Sequence, residues 1–215
     1  MKSLLSFALS TTLILCNTVV SSAASPKKCT PAPAPETAPD PLPLFDLVEY
    51  YYEPPSRQSP SELLSTQVSE SQIRNKLALN SLALGGEDFD GLDYVFTEDA
   101  VANLSAPIGV VKGRDNIKQA IRQVLTAGEG VDGHDLISSP LIEVDPQNPC
   151  LAKSLTYFTT TFFGVSGPWQ GLGQASSLSG QFRDTWVQDE AGEWRISIRI
   201  LVYIGFPIGN LLPRN

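Results

Sequence analysis

The chain has 215 residues, of which 15 are Lys or Arg and 23 are Asp or Glu, and its formal net charge is −8. An acidic chain without a run of basic residues argues against a nucleic-acid partner and against an anionic membrane surface. The length is enough for one domain with a substantial core and an extension.

Residues 1–24 have the pattern of a secretory signal peptide. Lys2 supplies a positive charge, residues 4–16 form a short apolar stretch, and the small residues 21–24 offer a cleavage site. The stretch is shorter than the roughly 20 residues that a membrane-spanning helix needs, and no later segment is long and apolar enough. The sequence therefore predicts a protein that is secreted or held in the lumen of the secretory pathway, without a membrane span.

Two cysteines, Cys29 and Cys150, remain after removal of the signal peptide. In an oxidising compartment they most simply form one disulfide, which would tie the extension to the domain. No Cys/His spacing suggests a metal site, and neither a metal nor a cofactor is expected. Asn103 begins the sequon Asn103-Leu104-Ser105, so it is a predicted glycosylation site whose use depends on its exposure.

Residues 25–65 form a proline-rich N-terminal extension. Proline removes backbone donors and favours extended conformations, so no long helix or central strand is expected there. The segment 25–43 is interpreted as a disordered linker. The segment 44–52 is apolar and rich in tyrosine, and we expect it to pack onto the domain as an arm.

The segment 66–206 has the regular patterns of one folded domain. Apolar residues at helical spacing predict helices over residues 66–83, 88–96 and 113–125, with a strand over 99–106 between the second and the third. Alternating and β-branched segments then predict strands over residues 134–144, 151–163, 176–188 and 194–203.

This order of elements is typical of an α+β domain. The acidic turn 189–193 joins the last two strands as a hairpin. Helices that precede a series of antiparallel strands are expected to gather on one face of a strongly curved sheet and to close a cone-shaped cavity. Residues 207–215 are a C-terminal tail.

Four segments in order carry a resemblance to a known family. They are DFDGLDYVFTEDAVANL, VVKGRDNIKQAIRQVL, GHDLISSPLIEVD and GQFRDTWVQDEAGEWRISIR. Together they resemble the SnoaL-like, scytalone dehydratase-like branch of the NTF2-like superfamily over about residues 67–206, which implies a cone-shaped NTF2-like barrel. That superfamily includes dehydratases, isomerases, cyclases and proteins that only bind or dimerise, so the fold alone does not give the function.

The resemblance implies His134 as the first catalytic candidate. It begins the strand after the third helix, where scytalone dehydratase-like members carry a histidine, and Asp132 and Asp135 could orient or merely solvate it. An imidazole titrates near neutral pH and can move a proton, whereas the alternative is a histidine that bonds the backbone. The family's aspartate and second histidine are replaced by Leu84-Gly85-Gly86 and residues 158–161, so the dehydratase set is incomplete.

Arg183 and Asp184, on the penultimate strand, are the other catalytic candidates. A period of two places them on opposite faces, and the sequence leaves open which face is inward. The alternative is an Arg–carboxylate pair on the outer face, worth roughly 0–1 kcal/mol. On the last strand Arg199 is expected to be structural, and the same alternation predicts one buried face that carries Trp194, Ile196, Ile198, Ile200 and Val202.

Aromatic side chains predict an apolar cavity for a small, ring-containing molecule with little charge. The first functional hypothesis is a cofactor-independent lyase, isomerase or cyclase, pericyclic reactions included, that acts on a small apolar secondary metabolite. The alternative is a secreted, non-catalytic protein of the same fold that binds a small molecule, or that forms a homodimer through the outer sheet face. The residues proposed to contact the small molecule are Tyr94, Tyr157, Phe158, Phe162, Phe182 and Trp186.

Overall fold

The computed structural model describes residues 37–43, 46–52, 58–125, 131–165 and 173–210. The predicted signal peptide and Cys29 lie outside these ranges, so secretion and the Cys29–Cys150 disulfide stay predictions. The helices are α1 (Leu47–Tyr51), α2 (Pro60–Gly85) and α3 (Arg114–Leu125), with a 3-10 helix over Phe89–Tyr94. None of the described helices is long and apolar enough to cross a membrane.

One curved sheet holds the strands of the described ranges. Its order is β2-β1-β7-β6-β5-β3, with β4 beside β5 and β8 beside β6. The pairing of β1 with β7 is parallel, and the other pairings are antiparallel. The strands are β1 (Phe96–Asn103), β2 (Val110–Lys112), β3 (Val131–Ile137), β4 (Leu141–Val144), β5 (Leu151–Gly164), β6 (Ala175–Gln188), β7 (Trp194–Tyr203) and β8 (Ile208–Gly209).

Helix α2 begins earlier than its predicted start at residue 66. The hydroxyl of Ser59 accepts a hydrogen bond from the Glu62 amide, the Glu62 carboxylate accepts one from the Ser59 amide, and Pro60 occupies the first helical position. This capping box satisfies backbone donors that a helix start leaves unpaired, and proline suits the first turn. The first residues of α2 therefore come from the segment predicted as extension.

The core lies between the helices and the inner face of the sheet. It includes Ile73 and Leu77 of α2, Ile117 of α3, and Trp186 and Trp194 of the sheet, all of them buried. Each such side chain contributes about 1.5–3 kcal/mol when it is fully buried. The helices are thus fixed over one face of the sheet, and that face is the wall of any internal cavity.

A bulge in β7 changes which of its side chains face the core. Thr185 of β6 pairs with Ile198, whereas Trp186 pairs with Ile196, so Ser197 is an extra residue. One extra residue reverses the alternation of faces. The prediction that Trp194 and Ile196 share a face with Ile198, Ile200 and Val202 is therefore wrong, since the first two point inward with Arg199 and Leu201.

The predicted strand 134–144 is two strands. Strand β3 pairs with the second half of β5, and β4 pairs with the first half. Pro140 lies between them, and proline cannot donate to a sheet ladder. The break lets the two short strands follow different parts of the long, bent β5.

The N-terminal arm, residues 37–43 and 46–52, packs on the outer face of the sheet. Leu47 and Tyr51 are buried, and α1 contacts β4 and β5. The guanidinium of Arg183 donates from Nη1 to the Leu42 carbonyl at 2.7 Å, and Lys153 Nζ lies 4.1 Å from the centre of the Tyr50 ring. The segment 37–43, which was interpreted as part of a linker, is therefore held to the sheet.

Candidate functional site

An apolar cavity lies between the inner face of the sheet and helices α2 and α3. Its volume is about 80 Å³, so without movement of its walls it would admit only a small guest. Its walls combine aliphatic side chains of both helices with aromatic side chains of the sheet, among them Leu84, Ile121, Phe158, Phe162, Phe182 and Leu201. The cavity is suited to an apolar guest.

Asp135 is the carboxylate that lines this cavity. It lies on β3 opposite Thr160 of β5, whose hydroxyl donates a hydrogen bond to Asp135 Oδ1. Burial raises the pKa of Asp135, while the Thr160 bond and the charges of Arg199 and His134 act in the opposite direction. A carboxyl group with a raised pKa beside a cavity is suited to proton transfer.

Arg199 is a cation fixed in the cavity wall. Its Nε and Nη2 donate to the two carboxylate oxygens of Asp184 at 2.8 and 2.9 Å, and its Nη1 donates to Asn80 Oδ1 at 2.9 Å. The guanidinium carbon lies 4.3 Å from the centre of the Phe182 ring and 5.1 Å from that of Phe96. These bonds use three of its five N–H groups, and the residue lines the cavity.

Asp184 supports Arg199 from behind. Its side chain is fully buried, and it does not line the cavity. Burial raises the pKa of Asp184, and the bidentate bond to Arg199 opposes that rise. Asp184 therefore fixes the orientation of the guanidinium, and the roles expected for Arg199 and Asp184 are exchanged, since Arg199 is the cavity group.

The structure does not bring His134 to the cavity. His134 is exposed, on the face of β3 opposite Asp135. Adjacent residues of a strand point to opposite faces, so only one of the two can face inward. The placement corrects the expectation that His134 moves a proton within the cavity.

Arg183 also lies outside the cavity. On the outer face, its Nε and Nη2 donate to Gln181 Oε1 at 3.0 and 2.8 Å, and the arm covers it through Leu42. Burial lowers the pKa of Arg183. Alternation along β6 gives the reason, because Phe182 and Asp184 on either side point inward. The expectation that Arg183 projects into the cavity is therefore corrected.

Three of the six predicted contact aromatics line the cavity, and these are Phe158, Phe162 and Phe182. Trp186 is buried in the core, where its indole N–H donates to Ser154 Oγ at 2.8 Å. Tyr94 and Tyr157 are exposed outside the cavity. The predicted apolar wall is thus present, although half of its predicted members lie elsewhere.

Asp135, Arg199 and Tyr203 are cavity groups that the sequence analysis did not assign. The sequence suggests Asp135 only as a neighbour that orients or solvates His134, and Arg199 only as a structural residue. One feature could have identified Asp135. Phe158, Thr160 and Phe162 share the inward face of β5, and Asp135 pairs with Thr160 in the β3–β5 ladder. Burial raises the pKa of Tyr203 at the same wall.

The predicted glycosylation site can also be placed. Asn103 is half-buried, and its Oδ1 accepts a hydrogen bond from the Ser105 amide at 3.1 Å. The Ser105 hydroxyl bonds the Leu201 carbonyl, and glycosylation of Asn103 stays a prediction. Within the described ranges, no group of three or more His, Cys, Asp or Glu residues could hold a metal ion.

Gly180 makes room for Phe158 in the cavity wall. A Cβ at this position would lie 2.6 Å from two atoms of the Phe158 ring and 2.6 Å from the Val202 carbonyl oxygen. We expect Gly180→Ala to lower the free energy of unfolding by about 1–3 kcal/mol, because the ring must move against Phe182. Urea denaturation measures this loss. The control is Gly133→Ala, whose Cβ would meet Phe162 at 3.4 Å, and equal stability of the two variants would contradict the argument.

Comparison with known proteins identifies the fold. A hexachlorocyclohexane dehydrochlorinase, LinA type 2, has a TM-score of 0.56 and 13% identity, over 68% of this chain and 92% of that chain. The Kfla4162 protein from Kribbella flavida has a TM-score of 0.54 and 14% identity, over 66% and 95%. A candidate scytalone dehydratase from Novosphingobium aromaticivorans has a TM-score of 0.53 and 20% identity, over 69% and 91%.

At these identities the solved structures establish a shared fold and no more. A search of curated proteins finds no significant match. The model of the SnoaL-like domain family matches residues 68–200, which include most of the elements that form the cavity. The chain therefore belongs to the SnoaL-like domain family and has the curved-sheet fold of its NTF2-like superfamily.

Proposed function

We propose that the protein is a cofactor-independent lyase, isomerase or cyclase that acts on a small apolar molecule in this cavity. The observation that carries the proposal is the pair of charged groups in an otherwise apolar wall: Asp135, held by Thr160, and Arg199, held by Asp184 and Asn80. A base and a fixed cation that line one small, water-poor chamber are what proton transfer from carbon requires.

In the proposed reaction the Asp135 carboxylate takes a proton from a carbon of the substrate. The C–H bond breaks, its electron pair stays in the substrate, and an O–H bond forms on Asp135. Burial raises the pKa of Asp135, which strengthens the carboxylate as a base. The guanidinium of Arg199 stabilises the negative charge that develops on an oxygen or a leaving group. An isomerase returns the proton to another atom, whereas a lyase releases it.

The lining of the cavity supports a substrate that is neutral and ring-containing. Phe158 and Phe182 stack with centroids 4.3 Å apart and present a flat wall, and Phe162 continues it. A carboxylate or phosphate would lose its hydration between these apolar walls and would be repelled by the Asp135 carboxylate, so a neutral substrate is favoured. A small apolar secondary metabolite fits this chemistry.

The remaining expectations belong to the same proposal. The signal-like N-terminus supports secretion, which would permit the Cys29–Cys150 disulfide and glycosylation at Asn103. The outer face of the sheet has exposed apolar side chains beyond the arm, and they support a homodimer built through that face. They are Leu136, Tyr157, Phe163 and Ile208.

A second candidate function is small-molecule binding without turnover. It is favoured by one observation, the exposure of His134 on the outer face, since the histidine that the family resemblance implied as catalyst is absent from the cavity. The same apolar walls would then hold a guest that leaves unchanged.

The test is incubation of the purified protein with a pooled apolar metabolite extract, followed by mass spectrometry of the free and the protein-retained fractions. We expect at least one component to be converted to an isomer or to a product that has lost a small acid or water, with heat-denatured protein as the control. Retention without conversion would support the binding function instead. If nothing is retained or converted, both functions are contradicted.

A further inference from the structure

A second, smaller cavity adjoins the first at Asp135. It lies beside the ends of α2 and α3 and strand β3, and we call it the side passage. Its lining comprises Gly85, Glu87 and Gly133, together with four side chains that also line the main cavity: Leu84, Leu125, Asp135 and Thr160. Asp135 therefore lies at the boundary between the main cavity and the side passage. The side passage is also lined by Glu87, which is exposed to solvent.

Two glycines keep the side passage open. A Cβ on Gly85 would lie 3.7 Å from the Gly133 carbonyl oxygen, and a Cβ on Gly133 would lie 3.4 Å from the Phe162 ring. Both are ordinary contact distances, so the backbone would accept a side chain at either position. The width of the passage thus depends on the absence of side chains from these two positions.

Glu87 occupies a backbone conformation that glycine would adopt more easily. Its φ is 54°, in the left-handed region, immediately after the end of α2. In this conformation a side chain with a Cβ destabilises the folded protein relative to glycine. The two glycines, Gly85 and Gly86, lie just before this position, and the position itself carries a glutamate. Ser105 is the other described non-glycine residue with a positive φ, and of the two only Glu87 lines the side passage. Backbone strain clusters at functional sites, so the Glu87 side chain is a candidate for a role there.

We propose that the side passage is the route by which the proton taken up by Asp135 leaves, with Glu87 as the relay to solvent. The inference rests on the proposed function. After the C–H bond breaks, Asp135 passes its proton to a water molecule in the passage. That water passes a proton to Glu87 and thence to bulk solvent, so the Asp135 carboxylate is restored. No electrons are transferred in these steps.

A route for protons out of the cavity also favours a lyase over an isomerase. An isomerase can return the same proton to its substrate and has no need of an exit. An elimination that expels a weakly basic anion releases one proton in every turnover, because the leaving group departs on its own bonding pair and does not take up the proton. A passage from the base to solvent therefore indicates a lyase that acts by elimination.

The test uses 5-nitrobenzisoxazole, a neutral aromatic probe whose C–H proton a carboxylate removes while the N–O bond breaks, giving a coloured phenolate. In Glu87→Gln the base is intact, so the first turnover is expected at the wild-type rate. Later turnovers are expected to slow by about tenfold, because Asp135 regains its charge slowly. Stopped-flow absorbance therefore shows a burst of one product per site, which a wild-type trace lacks.

Several variants separate a relay from a structural role. Glu87→Asp and added formate should each restore the later turnovers, and Gly85→Val, which fills the passage, should show the same burst. Glu98→Gln, an exposed glutamate on β1, is the matched control and should behave as the wild type. Glu87→Gly should raise the melting temperature by relieving the strained φ and still show the burst.

Equal steady rates for Glu87→Gln and Glu98→Gln would overturn the inference, as would a slow first turnover or a loss that formate does not restore. A different result is expected if the proposed function itself is wrong. In that case Asp135→Asn eliminates the probe as fast as the wild type, whatever happens at Glu87.

Discussion

Replacing Arg199 by methionine is expected to lower the free energy of unfolding by about 3–5 kcal/mol, because it leaves a buried carboxylate without its counter-charge. The side chains of Arg199 and Asp184 are 2% and 0% exposed, so water does not replace the lost bonds. Urea denaturation at neutral pH measures the loss. The deficit should shrink as the pH falls, since burial raises the pKa of Asp184 and protonation removes the unpaired charge.

Two further variants make this result specific to the buried pair. Arg74→Met removes an exposed arginine that pairs with Glu70 at 2.9 Å on α2, and it should change the stability by no more than about 0.5 kcal/mol. The double variant Arg199→Met/Asp184→Leu should recover most of the loss, because no buried charge remains. If Arg199→Met unfolds at the wild-type urea concentration, the pair does not support the cavity wall.

Replacing Asp135 by asparagine is expected to lower the rate of elimination by about 10²–10⁴-fold, the range of general-base catalysis. The same variant should be at least as stable as the wild type at neutral pH. Asparagine does not ionise, and its amide oxygen can still accept the Thr160 hydroxyl. A loss of activity without a loss of stability is the mark of a group kept for chemistry.

The pH dependence of stability follows from the sign of the shift. Burial raises the pKa of Asp135 above that of the unfolded chain, so the folded state binds this proton more tightly. Wild-type stability should therefore fall, relative to Asp135→Asn, as the pH rises through the raised pKa. Urea denaturation over a series of pH values checks this. Asp132→Asn, exposed on the same strand, is the control, and a less stable Asp135→Asn at neutral pH would show that the carboxylate is structural.

The sequence predicts the long elements of the fold well. Strands β5, β6 and β7 lie within one residue of their predicted bounds, because long β-branched and aromatic runs with an acidic turn between them admit few other structures. The ends of the helices and strands are harder to predict. The capping box at Ser59 and the break at Pro140 are both written in the sequence, but their effects depend on what the neighbouring segments pair with.

Which side chains of a strand face the cavity could not be predicted from the sequence, for a physical reason. His134 and Asp135 are neighbours, and a shift of one residue exchanges the exposed side chain for the cavity side chain. The helices decide the matter by packing on one face, and no pattern in β3 alone indicates which face that is. The bulge at Ser197 adds a second reversal, which moves Trp194 and Ile196 to the inner face.

The Arg199 cluster depends on contacts that are distant in the chain. Asp184 lies 15 residues from Arg199 across a hairpin, and Asn80 lies 119 residues away on α2. From the sequence, Arg199 is expected only to be structural. Only the packing of α2 over the sheet shows that this arginine ends in the cavity wall.

The most direct test of the cavity as a site of proton transfer compares binding and elimination of 5-nitrobenzisoxazole on two proteins. We predict that wild type and Asp135→Asn bind the probe with affinities within about twofold of one another, because the apolar walls are unchanged. Only the wild type should eliminate it faster than an equal concentration of acetate. Elimination by Asp135→Asn at the wild-type rate would contradict the account.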